Sequence, residues 1–194
     1  MSENRRLTDA RDEQLIAATL DGDISSFGTI VERYWNMAVA LALSKIDDPV
    51  EAEDVAQESL IKAYSQLSSL RDPSRFAGWL SKIIAQQCTN VIRRKARERT
   101  VSSCEGDALE ASASAPNTNP KLDNEQAHFV RRAVRHLPEN FQKIVIMRFV
   151  GGFSTEQIAR QLGKRHGTVR VWLHRAYNSL RKELAPLLEE AKES

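Results

Sequence analysis

The stretch "STEQIARQLGKRHGTVRVWLHRA", residues 154–176, narrows what this chain can fold into more than any other, because its signals agree on a helix, a tight stop and a second helix. Ser154 followed three residues later by Gln157 is a capping box, and Phe153 with Ile158 fits the hydrophobic staple that sets how a chain runs into a helix. Ile158, Ala159 and Leu162 then share one face up to Gly163, a residue free to take positive φ at a helix stop. A second helix is expected to begin between Arg165 and Thr168. At about 100° per residue, Val169, Trp172, Leu173, Ala176 and Leu180 gather on its inner side. The other side carries Thr168, Arg170, Val171, His174, Arg175 and Asn178, a set suited to phosphate oxygens and base edges. From Arg160 to Lys182 there are seven cations and no Asp or Glu. A helix-turn-helix places its second helix in the major groove, so duplex DNA is the expected ligand. Val171 is either a contact for a thymine methyl or ordinary surface apolarity.

The rest of the chain is also helical in pattern, with few glycines and few alternating β-branched runs, so the fold class is all-α: two small helical domains joined by a flexible linker, the second a helix-turn-helix. A first short helix is expected from near Thr8 to Gly22, with Leu15, Ile16 and Leu20 apolar. A second carries Phe27, Ile30, Val31, Tyr34, Trp35, Ala38 and Leu41 on one stripe and stops at Asp48-Pro49. The third puts Val55, Leu60, Ile61 and Tyr64 inward and Glu51, Glu53, Asp54, Gln57 and Glu58 outward. After the polar loop "SSLRDPSR", a fourth runs from about Phe76 to Arg97 and ends in the string "RRKARER". Residues 100–127 are rich in Ser, Ala, Asn and Pro and poor in large apolar side chains, which reads as a linker with a coil span of about 30 Å. The expected division is therefore 1–99, linker 100–127, and 128–194 with an acidic tail; Leu137-Pro138 opens the helix that precedes the helix-turn-helix.

A formal charge of +2 would argue against a polyanionic ligand if it were evenly spread. It is not. Residues 71–99 are net +6 and 128–184 net +9, while 1–42, 43–70 and 100–127 are net −3, −4 and −4. Two cationic blocks alternating with acidic ones suit two nucleic-acid faces and a separate protein face. Cys88 and Cys104 lack metal-ligand spacing and form no disulfide framework, which points to reduced thiols and a cytoplasmic protein. Either cysteine as a redox sensor is the weaker alternative to a buried thiol at 88 and an incidental one at 104. The N-terminal residues have no apolar signal core, and "MAVALAL" is too short to cross a bilayer, so no membrane insertion is expected. His128, His136, His166 and His174 make no metal spacing, and neither a phosphate-cradling glycine loop nor a nucleophile motif occurs, so no enzyme, no cofactor and no metal are expected.

The run "LPENFQKIVIMRFVGGFSTEQIARQLGKRHGTVRVWLHRAYNSLRKEL" resembles the fourth conserved region of extracytoplasmic-function (ECF) sigma factors. "DPVEAEDVAQESLIKAYSQL" and "RFAGWLSKIIAQQCTNVIRRK" resemble their second region, and with "DISSFGTIVERY" the resemblance covers nearly all of the chain but the linker and tail. It implies a dissociable specificity subunit of core RNA polymerase with no catalytic site, a monomer when free, and an anti-sigma factor as a partner. It further implies that Glu53, Asp54, Gln57 and Glu58 dock on the polymerase, an acidic stripe that would otherwise be read as a solvated surface. Minus-35 recognition would fall to Arg165, His166, Thr168, Arg170, Val171, His174 and Arg175. Minus-10 recognition and melting would fall to Arg71, Arg75, Phe76, Lys82, Gln86, Gln87, Asn90, Arg93 and Arg94, cations and an aromatic of the kind that holds unstacked bases. Trp79 is expected in the core, Phe76 is either core or stacking platform, and Gln86, Gln87 and Asn90 either touch DNA or face solvent. The chain departs from the family pattern at Ala85, Gln86 and Asn90, and at Trp172, where a DNA-facing Arg is common. The alternative reading is a conventional helix-turn-helix regulator that is not a polymerase subunit; such regulators usually dimerise, and no coiled-coil heptad is evident here.

Overall fold

The computed structural model describes residues 11–104 and 123–185, all in helices, turns and short connections with no strand among them. In chain order the helices are α1 (Asp12–Leu20), α2 (Ile24–Leu43), α3 (Pro49–Ser65), α4 (Phe76–Cys104), α5 (Asp123–His136), α6 (Glu139–Phe149), α7 (Thr155–Leu162) and α8 (His166–Glu183). Two single 3-10 turns, Leu67–Ser69 and Pro73–Arg75, join α3 to α4. The expected helix start near Thr8, the tail beyond 185 and most of the linker lie outside the described residues.

Local chemistry sets most of the boundaries. Asp48 accepts hydrogen bonds from the N–H groups of Val50 (2.9 Å) and Glu51 (3.3 Å), and Pro49 fills the first helical position of α3, where its missing N–H costs nothing. Asp23 caps α2 in the same way, from Ser25 N–H at 3.0 Å. Asp72 caps the turn before α4, accepting from Ser74 N–H at 3.1 Å. α4 runs on past Arg97 to Cys104: its cationic string is made of good helix formers and carries the helix instead of ending it.

α1 to α4 form one packed unit around Leu15, Ile16, Ile30, Tyr34, Met37, Leu67, Leu80 and Ile84, all essentially inaccessible. Tyr34 is central to it. Its hydroxyl donates to the Asp12 carboxylate, which also pairs with Arg33, and burial pushes the phenol's pKa upward, so it stays a neutral donor. The periodic reading of α3 needs correction: Val55 and Leu60 are buried as expected, but Ile61 is 62% and Tyr64 43% exposed. Helical spacing groups residues on a face without saying how wide the neighbouring helix is, and the apolar stripe of α3 is broader than the surface that covers it. Leu20, read with the apolar side of the first helix, is likewise exposed. Glu51, read as outward, is half-buried and pairs with Lys95 of α4 at 2.6 Å.

The two halves are not merely strung together. Ile144, Ile146, Met147, Ile158, Ala159, Val169 and Leu173 of the C-terminal half belong to the same contiguous core as the residues of α1 to α4. Phe153 stacks 6.3 Å from Tyr34, and Lys45 pairs with Glu139 at 3.3 Å and Asp47 with Arg135 across the boundary. Lys143 lies half-buried in α6, and its burial is the main cause of an amine pKa below the ordinary lysine value. Leu137, Val145 and Ala176 make a small satellite core within the C-terminal half.

Candidate nucleic-acid interface

The helix-turn-helix forms for the reasons its sequence suggests. Ser154 Oγ accepts from Gln157 N–H at 3.1 Å while Gln157 Oε1 accepts from Ser154 N–H at 2.7 Å, closing the capping box at the start of α7. Gly163 ends α7 with φ +60° and ψ 37°, the left-handed conformation that favours glycine, and Lys164 N–H then reaches back to the Ala159 carbonyl at 2.9 Å. Only two residues later α8 begins at His166. Phe153, the other half of the expected staple, packs against the shared core and the ring of Tyr34.

α8 sorts its residues by side as the spacing implies. Val169, Leu173 and Ala176 are buried, Trp172 and Leu180 half-buried. Trp172, at the position where an Arg is common, therefore lies against the core instead of pointing outward. Arg165, His166, Arg170, Val171, His174 and Arg175 are exposed, with Thr168 half-exposed at the helix start. Asn178 Nδ2 lies 3.3 Å from His174 Nδ1, one turn along the same side. Arg160 and Lys164, at the end of α7 and in the turn, are exposed too and extend the positive surface. The sequence carried a signal for both, since they lie within the acid-free run. Because backbone N–H groups at the start of α8 have no partner within the helix, Arg165 and His166 flank a natural place for a phosphate.

The second basic block divides. Arg71, Arg75, Lys82, Gln86, Asn90, Arg93 and Arg94 are exposed along the 71–76 loop and one side of α4. Arg75 is tied to Asp72 at 2.9 Å, and Arg94 stands 3.9 Å from Glu98. The Asp72 carboxyl is held below its ordinary pKa chiefly by the Ser74 hydroxyl, with smaller help from Arg75 and Arg160. Gln87 is half-buried among Lys62, Glu58 and Asn90, its Oε1 accepting from Asn90 Nδ2 at 3.2 Å, so it is partly spoken for by its neighbours. Phe76 must be corrected: it is wholly buried, edge-on to Tyr34 at 5.0 Å and tilted against Trp79 at 5.9 Å. As placed it is core, with no face open to a base; Trp79 is half-buried and packs against the same core.

On α3, Glu53, Asp54, Gln57 and Glu58 are exposed, and Ile61 and Tyr64 lie within a turn or two of them. The acidic stripe is thus continued by an apolar one that the periodicity had assigned to the core. Near the C-terminal end of α6, exposed Phe149 tilts against Tyr177 of α8 with ring centroids 5.7 Å apart. Cys88 is fully buried and a free thiol; the side chain of Cys104 lies outside the described residues. Among the described residues no helix is long and apolar enough to cross a membrane.

Comparison with known proteins agrees with both halves of this arrangement. Residues 30–98 match the family model "Sigma-70 region 2" and residues 130–180 match "Sigma-70, region 4". The RNA polymerase sigma-H factor of Pseudomonas aeruginosa is 32% identical over 95% of this chain and 100% of its own length. The ECF RNA polymerase sigma-E factor of Salmonella typhimurium is 32% identical over 91% of this chain and 96% of its own. Among solved structures, the sigma factor RpoE in complex with the anti-sigma factor NepR from Bartonella quintana is 26% identical, with 84% of this chain and 98% of that one covered at a TM-score of 0.56. CnrH, solved with the cytosolic domain of CnrY, shares the fold at 19% identity and a TM-score of 0.61 over 90% of this chain and 97% of that one. By two family regions in order and relatives aligned along almost its whole length, the chain belongs to the sigma-70 family as an ECF-type sigma factor.

Proposed function

We propose that this sigma factor carries out promoter-specific initiation through three separate surfaces. The exposed side of α8, with Arg165, His166, Thr168, Arg170, Val171, His174 and Arg175, reads the minus-35 element in the major groove. The 71–76 loop and the exposed side of α4, with Arg71, Arg75, Lys82, Gln86, Asn90, Arg93 and Arg94, engage the minus-10 element and its unpaired strand. Glu53, Asp54, Gln57 and Glu58 on α3, continued by Ile61 and Tyr64, meet core RNA polymerase. The observation that carries this reading is the acid-free run around a left-handed Gly163 turn: seven cations between 160 and 182, four of them on α8 (Arg170, Arg175, Arg181 and Lys182), with Val169, Leu173 and Ala176 buried on the opposite side of that helix.

The protein acts as a cytoplasmic, monomeric, non-enzymatic subunit, and an anti-sigma factor is its natural inhibitor. Anti-sigma capture is supported by the solved complex of the Bartonella quintana sigma factor. A regulator working without polymerase is disfavoured, because the region 2 match gives the first half a role such a regulator would not need. Run-off transcription with purified core polymerase on genomic promoter fragments tests the reading: transcripts should appear only when the chain is added. No transcript on any fragment, with the chain shown to be folded, would refute it.

A further inference from the structure

Away from α8 and the acidic side of α3, reactive groups gather in a cleft of about 250 Å³ between the end of α2, α4 and α6, narrow at its floor and open to solvent at its mouth. Ser44, Lys45, Ser81, Glu139 and Lys143 are its polar side chains used here. They are not equivalent. Ser44 Oγ donates to the Leu41 carbonyl at 2.7 Å and Ser81 Oγ to the Gly78 carbonyl at 2.8 Å, so both hydroxyls are engaged. Lys45 Nζ is held by the Glu139 carboxylate at 3.3 Å. Lys143 follows Glu139 by one turn of α6 and is half-buried, and the charge of exposed Lys82 on α4 is felt at its amine. Burial comes first in disfavouring the ammonium form of Lys143; repulsion from Lys45 and Lys82 adds to it, against the pull of Glu139, so the pKa lies below that of an ordinary lysine. A desolvated lysine among other cations keeps more of its amine neutral, and the neutral amine is the nucleophile.

The neighbouring cations also select the reagent. An acyl donor whose leaving group is a phosphate is drawn to Lys45 and Lys82, which brings its carbonyl carbon to the mouth of the cleft beside Lys143. An uncharged acyl donor gains nothing from them.

We propose that Lys143 is a modification site, acylated at Nζ by small acyl phosphates whose phosphate is received by Lys45 and Lys82. The Nζ lone pair attacks the carbonyl carbon, a C–N bond forms, and the C–O bond to phosphate breaks. The phosphate leaves with that electron pair and takes up the proton the amine releases; nothing is oxidised or reduced. The product is a neutral amide at residue 143, so the cleft loses one positive charge. The probe is acetyl phosphate, incubated with the full chain near neutral pH while peptide mass spectrometry follows acetylation at each lysine. Lys143 should be acetylated faster than the exposed Lys164 and Lys182, and that lead should be lost in urea, where the cleft no longer exists. With N-acetoxysuccinimide, an uncharged active ester, the lead should shrink. Lys82→Gln, a change at an exposed position, should slow the reaction of Lys143 with acetyl phosphate more than with the ester. Acetylation of Lys143 no faster than that of Lys164 and Lys182, or an undiminished lead in urea, would overturn the site. An equal lead with both reagents, together with no effect of Lys82→Gln, would overturn the part given to the phosphate.

Discussion

At the scale of single residues, exposure separates side chains available for contact from those that hold the fold. Arg170 and Arg175 are exposed on α8, so Ala at either should leave stability within about 0.5 kcal/mol and act on DNA alone. If an arginine reads a base, affinity should fall by roughly 1 to 3 kcal/mol at one promoter position only. A phosphate contact should weaken all sequences alike and lower the salt slope by about one. Binding titrations across a salt series distinguish them, and unchanged affinity in both variants would contradict the assignment. Phe76 behaves oppositely. As a wholly buried ring against Tyr34 and Trp79, its change to Ala should cost about 3 to 5 kcal/mol in urea unfolding, whereas a stacking platform would lose single-strand affinity at unchanged stability. The sequence left Phe76 open because an aromatic at helical spacing has the same pattern in either role. Cys88 was legible as a buried thiol, and burial pushes its pKa up to about 11. Since the thiolate is the nucleophile, iodoacetamide near neutral pH should not label Cys88 in the folded chain. The sign of the linkage follows: the neutral thiol favours the folded state below the unfolded value of about 8.5, and that contribution is lost as pH rises towards 11. Labelling at the rate of a free cysteine would contradict this.

Elements were legible where their signals are local. The Ser154 and Gln157 box and the Gly163 stop involve groups within three or four residues of one another, and each forms; Asp48-Pro49, read as the stop of the preceding helix, instead caps and opens α3, since that helix already ends at Leu43. Ser154→Ala should therefore cost about 1 kcal/mol, measured as a shift of the thermal midpoint, by freeing the Gln157 N–H. Gly163→Ala should cost roughly 1 to 2 kcal/mol, since an L side chain resists φ +60°. What was not legible depends on partners distant in sequence. Periodicity collected Ile61 and Tyr64 with Val55 and Leu60, yet only the packing of α2 and α4 decides how much of that stripe is covered. The extension of α4 to Cys104 is not legible in the string "RRKARER": a cationic run reads as a helix end, although lysine and arginine are good helix formers and continue one here.

For the whole molecule, the sequence showed two helical halves and their charge blocks but not their contact. Nothing in the local pattern of Gln161, Gly78, Tyr34 or Phe153 announces that they meet, since each is ordinary within its own helix or turn. The single core running through both halves is the product of those distant pairings. The charge layout nevertheless survives folding: acids and exposed apolar side chains on α3, cations along α4 and α8. Such a division predicts a protein that recognises a promoter as part of polymerase. The measurement that tests this most directly is footprinting of a promoter fragment with core polymerase reconstituted with the chain. Protection is expected in two blocks, near minus-10 and minus-35, with Arg170→Ala plus Arg175→Ala selectively weakening the upstream one. The same two blocks from the chain without polymerase, or no protection from the reconstituted enzyme, would contradict it.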